Sequence, residues 1–130
     1  MIINMSKKII QSNQAPAPIG PYSQAVLVND TLYCSGQVAL DPSNGNLNIS
    51  DLDTETHQVM NNLKAVLSAA DMDFSNVVKC SIFLKNMDDF AEVNGVYGKY
   101  FTVDPPARET VQVVKLPLDV NVEISLIAVK

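Results

Sequence analysis

The sequence predicts an α+β domain: one mixed six-stranded sheet with two helices packed on one of its faces. Two observations point there. Short segments of period-two apolar pattern alternate with two longer segments of helical period, in the order β-β-β-α-β-α-β-β. At 130 residues with 47% hydrophobic content, the chain also has enough apolar material for one core and is short for two, so residues 1–130 are read as a single domain.

Lys7 to Ile10 opens the pattern and is followed by Ala15-Pro16-Ala17-Pro18-Ile19-Gly20-Pro21, whose prolines forbid a helix and favour a rigid extended loop. Ala25 to Val28 and Leu32 to Gly36 read as a hairpin closed by Asn29-Asp30, a connection made of turn formers. Asp41 to Ser50 has the composition of a loop. The period then becomes helical, with Asp53 or Thr54 as the N-cap and Val59, Leu63, Val66, Leu67 and Ala70 on one face. Val77 to Leu84 is apolar on both sides of a period-two pattern, as a central strand is. Asn86 to Asp89 then caps a second helix, whose stripe runs through Phe90, Val93, Tyr97 and Tyr100 or Phe101 and ends before Asp104-Pro105-Pro106. Strands over Glu109 to Lys115 and Asn121 to Val129 complete the set.

The last strand separates two surfaces. Val122, Ile124, Leu126 and Ala128 suit a helix-covered core, whereas Glu123, Ser125, Ile127 and Val129 mix polar with apolar groups. A solvated face is the simplest explanation of that mixture, but Ile127 and Val129 favour a surface buried against another subunit.

Composition narrows the function. The net charge of -5 argues against general nucleic-acid binding, because affinity for phosphates comes from accumulated Lys and Arg. Apolar runs fall well short of the roughly 20 residues a membrane helix needs, and Met1 to Ile10 has no apolar leader or cleavage site. A soluble, cytoplasmic protein without a membrane partner is expected. Cys34 and Cys80 lie in apolar runs without metal-ligand spacing and read as buried free thiols. His57, the one histidine, falls off its helix's apolar stripe and reads as exposed. No glycine-rich phosphate loop, zinc spacing or nucleophile elbow is present; Ser35 stands in Cys34-Ser35-Gly36-Gln37. Neither a metal nor a cofactor is expected.

A few side chains stand out. Arg108 is the single arginine beside eight lysines and follows a Pro-Pro turn; it is either a two-point clamp for a planar anion or an ordinary surface salt-bridge residue. Glu123, in an apolar strand, is out of place unless paired, exposed or used, and desolvation would raise its pKa toward neutrality. Asn94 falls between Phe90 and Tyr97 on the second helix's stripe, where an amide needs a partner. Tyr22, after the proline-rich loop, is either packing or the edge of a pocket.

With these residues in view, the chain resembles the RidA/YjgF family of imine deaminases from about Met5 onward. The matching pieces are Ala17-Pro18-Ile19-Gly20-Pro21-Tyr22-Ser23-Gln24-Ala25, Ser35-Gly36-Gln37, Phe90-Ala91-Glu92-Val93-Asn94, and Pro106-Ala107-Arg108-Glu109-Thr110-Val111 running on to Leu116-Pro117 and Val122-Glu123-Ile124. Residues 1–4 lie outside the resemblance, as a candidate N-terminal extension. It implies a chorismate-mutase-like fold and a homotrimer around a central β-barrel, with clefts between subunits. The implied activity is hydrolysis of reactive 2-imino and enamine acids, 2-aminoacrylate and 2-aminocrotonate, to 2-keto acids and ammonia, which protects pyridoxal-phosphate enzymes.

Site roles follow only at matching positions. Arg108 clamps the carboxylate, Glu123 positions or activates water, Tyr22 and Asn94 support, and Gly36 and the backbone of Thr110 help hold the substrate. Many relatives carry cysteine at Thr110, so no thiol role transfers, and Glu109 beside Arg108 should point to the opposite side of its strand. Two alternatives stand against the enzyme. One is a regulatory, non-catalytic member of the fold that binds a 2-keto acid or similar metabolite. The other is an endoribonuclease, which the acidic balance and single histidine disfavour.

Overall fold

The computed structural model describes residues 6–130; the candidate extension lies outside the described residues. Six strands are present, β1 (Lys7–Ile10), β2 (Ala25–Val28), β3 (Thr31–Gln37), β4 (Val77–Leu84), β5 (Ala107–Gln112) and β6 (Val122–Val129), with helices α1 (Leu52–Ala69) and α2 (Phe90–Tyr97). They form one sheet in the order β1-β2-β3-β6-β4-β5, antiparallel except where β4 and β5 run parallel. Because β6 is antiparallel to both β3 and β4, those two strands are parallel to each other. The chain therefore makes two parallel crossovers, β3-α1-β4 and β4-α2-β5, stepping the same way across the sheet. Crossovers of one hand stepping in one direction put their helices on the same face.

That face holds the core. Val59, Leu63, Val66 and Leu67 of α1 and Val93 and Tyr97 of α2 close over Leu32, Cys80, Ile82, Leu84, Val122, Ile124, Leu126 and Ala128. On β6 the buried and half-buried residues alternate as period two requires, with Glu123, Ser125 and Ile127 on the uncovered face.

Several boundaries differ from the sequence expectation, each for a local reason. Helix α1 starts at Leu52, because Asp51 rather than Asp53 or Thr54 is the N-cap, its Oδ1 accepting from Thr54 N at 2.7 Å. Strand β5 runs over Ala107–Gln112 instead of Glu109 to Lys115. After Val113 N donates to Leu84 O the chain leaves the ladder, and Val114 is fully exposed. Strand β6 starts at Val122 because Asn121 N is taken by Glu55 Oε2 at 2.8 Å. The second helix is α-helical to Tyr97 and tightens to a 3-10 turn over Gly98–Tyr100.

Candidate active site

Three buried polar side chains fix the walls of a cleft on the side of the sheet away from the helices. Glu55, fully buried on α1, accepts from Asn121 N, Asn121 Nδ2 and Val122 N, which locks the chain entering β6 one residue before Glu123. Asn62, two turns along, donates to Val38 O and Leu40 O at 3.1 and 2.9 Å and fixes the segment leaving β3. Gln24 holds the proline-rich loop by accepting from Ser12 N at 2.7 Å and donating to Pro16 O at 2.8 Å. An unpaired amide or carboxylate in these positions would be costly, so each segment is held firmly.

The cleft so framed measures about 540 Å³. Ser35, Gly36 and Glu123 supply its polar surface, Val38, Leu40 and Pro117 its apolar walls, and Ile19, Tyr22 and Leu118 its mouth. Ser35 Oγ donates to Ser23 O at 2.6 Å, so this hydroxyl is committed to structure. Glu123 is half-buried, and burial pushes its carboxyl above the ordinary value. Gly36 leaves room for it: a Cβ there would lie 2.7 Å from Glu123 Oε2 and 2.8 Å from its Cδ, so a larger residue would push the carboxylate aside. Tyr22 is exposed at the rim, and its hydroxyl accepts from Ile19 N at 3.3 Å.

Arg108 occupies a different place. It lies on the helix-covered side of edge strand β5, where α2 presents three residues to it at helical spacing. Its Nη1 donates to Asn94 Oδ1 at 2.6 Å, and its guanidinium carbon lies 5.6 Å from the Phe90 ring centroid and 5.0 Å from that of Tyr97. Among the described residues it makes no ion pair. Asn94 is exposed, not buried on the stripe as expected; the buried residues of α2 are Val93, Val96 and Tyr97. Arg108 and Asn94 line a second cavity of about 470 Å³ with Tyr97, Gly98, Phe101, Pro105 and Pro106.

The two cavities share no residue. Arg108 is in register with Cys80, and Cys80 with Leu126, three positions from Glu123 and on the opposite face. Strand spacing and rise put the Arg108 and Glu123 backbones roughly 14 Å apart, with their side chains on opposite sides of the sheet. Within the chain, the Glu123 cleft and the Arg108 cavity therefore do not meet.

Thr110 lies on β5 beside Ile82, lines neither cavity, and leaves its Oγ1 buried without a partner. Glu109 points to the uncovered face as alternation requires, bonded to Ser81 and to Lys79 Nζ at 2.9 Å, and these partners hold its pKa down. Cys34 and Cys80 are buried free thiols, and burial raises both, Cys34 to about 12. His57 is half-buried rather than exposed, because its Nδ1 pairs with Tyr100 Oη at 2.7 Å. Sequence reasoning missed Glu55, although a carboxylate four residues before Val59 on the apolar face was a readable signal. Among the described residues no group of three or more His, Cys, Asp or Glu side chains is placed to hold a metal, and no helix is long and apolar enough to cross a membrane.

Comparison with known proteins agrees with this architecture. A family model described as endoribonuclease L-PSP matches residues 12–130. Protein DfrA of Myxococcus xanthus is 54% identical over 127 residues, covering 96% of this chain and 97% of that one. The 2-iminobutanoate/2-iminopropanoate deaminase of Mus musculus is 49% identical over 124 residues, covering 95% and 92%. The crystal structure of the E. coli YjgF gene product superposes with a TM-score of 0.91 at 39% identity, covering 95% of this chain and 98% of that one.

Proposed function

The chain belongs to the YjgF/RidA (endoribonuclease L-PSP) family, and on that footing we propose that it hydrolyses 2-imino acids to 2-keto acids and ammonia at sites completed between the subunits of a homotrimer. The observation that carries the reading is the split site. Among the described residues Arg108 pairs with no carboxylate, which leaves it available as an anion receptor, while Glu123 is half-buried in a cleft that no described lysine or arginine lines. Joining the Arg108 cavity of one subunit to the Glu123 cleft of the next gives a complete site. The uncovered sheet face, with Ile9, Tyr33, Val111 and Val129 exposed, supplies apolar surface for such an assembly.

The chemistry follows from the two halves. Arg108 of the partner subunit grips the substrate carboxylate at two points, and this places the C=N carbon over Glu123. Water adds to that carbon while Glu123 takes one water proton and delivers it to the nitrogen, giving the carbinolamine. The C–N bond then breaks as the new hydroxyl loses its proton through Glu123 to the departing nitrogen. Ammonia and the 2-keto acid leave, and Glu123 ends as it began. Burial keeps the Glu123 carboxyl above its ordinary value, and the approaching guanidinium pulls it down; the opposed effects suit a group that must both accept and return a proton near neutrality. Released 2-aminoacrylate and 2-aminocrotonate become these substrates by moving a proton from nitrogen to the β-carbon, which turns the enamine into the imine, so their hydrolysis spares pyridoxal-phosphate enzymes in the cytoplasm from attack.

The test couples a threonine dehydratase to this protein and follows 2-oxobutanoate release. Acceleration that disappears in Glu123→Gln is expected. No acceleration with retained 2-oxobutanoate binding would instead favour a regulatory, metabolite-binding role. An endoribonuclease reading gains nothing from either cavity: the net charge is -5, and the one histidine is bonded to Tyr100 away from both.

A further inference from the structure

Residues 98–106 form one wall of the Arg108 cavity, supplying Gly98, Phe101, Pro105 and Pro106. Little regular structure holds them. The second helix has tightened to its 3-10 turn, Thr102 to Pro105 are exposed with Asp104 at φ 47, and β5 joins the ladder only at Ala107. Among the described residues, one side-chain hydrogen bond joins this stretch to the rest of the fold, between Tyr100 Oη and His57 Nδ1 at 2.7 Å. Asp53 Oδ2, one turn before His57 on α1, lies 3.8 Å from Nε2. It favours the tautomer with its proton on Nε2, which leaves Nδ1 to accept from the Tyr100 hydroxyl. From that bond a run of ring contacts leads to the guanidinium. Phe74, on a short turn fixed by a capping box between Asp73 and Asn76, has its ring centroid 5.3 Å from those of both Tyr100 and Phe101. Phe101 lies 4.8 Å from Tyr97, and the Tyr97 ring faces Arg108 at 5.0 Å.

We propose that His57 is a positioning residue for the anion site: by fixing Tyr100 it keeps Phe101 and Tyr97 where they orient the Arg108 guanidinium, a role that rests on the reading of Arg108 as the carboxylate receptor. His57 and Tyr100 line neither cavity, so they act on the site through Phe101 and Tyr97 and not on the substrate. Ring contacts alone leave Tyr100 room to slide, because offset and edge-on pairs are favourable over a range of separations, whereas the hydrogen bond has one good geometry. Without that bond the wall is tied by its backbone ends and its rings only. Arg108 keeps Asn94 and Phe90 while its Tyr97 side is released, and its fork no longer has a single orientation. Losing a neutral hydrogen bond corresponds to roughly threefold to tenfold in an equilibrium, and this is the size of effect expected on carboxylate binding.

The experiment compares the full-length parent with His57→Leu, His57→Asn and Tyr100→Phe. Leucine removes the acceptor but is the better helix former, so a loss in that variant does not come from a weakened α1. Asparagine puts its amide oxygen where Nδ1 stands and keeps the acceptor, and phenylalanine keeps the Tyr100 ring and removes its hydroxyl. Because Arg108 is the single arginine, isotope-labelled arginine gives one guanidinium signal by NMR, and the nearby rings make that signal sensitive to small shifts. In His57→Leu and in Tyr100→Phe the signal should move, and 2-oxobutanoate affinity and kcat/KM for imine hydrolysis should each fall about threefold to tenfold. His57→Asn should return all three toward the parent. A guanidinium signal and an efficiency left at parent values by His57→Leu would overturn the proposal, and so would equal losses in His57→Leu and His57→Asn, since the acceptor would then not be what matters. If the parent hydrolyses no imine, the deaminase reading fails separately, and the Arg108 signal, which needs no ligand, still decides the role of His57: movement in His57→Leu that His57→Asn reverses supports it, and no movement refutes it.

Discussion

Exchanging Arg108 for lysine keeps the charge and removes the shape. The guanidinium is held by Asn94 Oδ1 at 2.6 Å and lies against the Phe90 and Tyr97 rings, so its plane is fixed before a substrate arrives. Lysine offers a point charge on a flexible stem, with no fork to share between Asn94 and a carboxylate. Losing one charge-assisted contact of the pair costs about 1.5 to 3 kcal/mol, which is roughly a ten- to hundredfold fall in kcat/KM. Because orientation is lost along with attraction, kcat should fall more than affinity for the keto-acid product. Stability should change by about 1 kcal/mol or less, the range of a partly exposed cation-ring contact. The assay is steady-state imine hydrolysis by the folded variant beside the parent, with product affinity from calorimetry. Equal efficiencies would refute the two-point clamp and the carboxylate-bearing substrate with it.

Three other changes probe the neighbouring parts. Cys34→Ala with Cys80→Ala should keep imine hydrolysis near the parent rate, and the native thiols should resist iodoacetamide at pH 8, since both are buried and Cys34 is pushed up to about 12; rapid alkylation or lost activity in a folded variant would point to thiol chemistry. Gly36→Ala puts a Cβ against the Glu123 carboxylate, where the space is 2.7 Å, so turnover should drop at least about tenfold while the circular dichroism spectrum is retained. Glu123 gives a pH signature with a definite sign. Its folded pKa is raised, so the native state keeps a proton that the unfolded chain has already released, and stability declines as pH climbs from the ordinary glutamate value through the raised one. Glu123→Gln should flatten that part of a urea-midpoint profile measured between pH 4 and 8; an unchanged slope would place the carboxyl in solvent.

Much of the architecture was legible because it rests on period and punctuation. The Val77–Leu84 strand and the helix-facing set of β6 follow from alternation, and the Asn29-Asp30 hairpin from its turn residues. What escaped depends on tertiary pairing. Asp51 displaced Asp53 as cap by one hydrogen bond, and Glu55 was passed over because stripe counting notes apolar positions and skips the carboxylate among them. Asn94 reads as misplaced until Arg108 is set beside it, a contact made across the β4-α2-β5 crossover. Arg108, Glu123 and Tyr22 stood out as residues and Gly36 came only with the family resemblance, but their division between two faces of one sheet depends on strand register. Leu118 gave no sign at all, since leucine does not announce a left-handed turn.

The central claim is that Arg108 and Glu123 act on one substrate from different subunits. Subunit mixing tests it directly. Arg108→Ala and Glu123→Gln proteins, each expected to be inactive alone, are unfolded together in equal amounts and refolded, and the proposed trimer of three 14.1 kDa chains, about 42 kDa, is isolated. If each site takes Arg108 from one subunit and Glu123 from the next, random assembly leaves about one quarter of the sites with both residues intact, and imine hydrolysis should return to about one quarter of the parent rate. If both residues serve a site within one subunit, no chain in the mixture carries the pair, and a mixed trimer that stays as inactive as its parents would contradict the account.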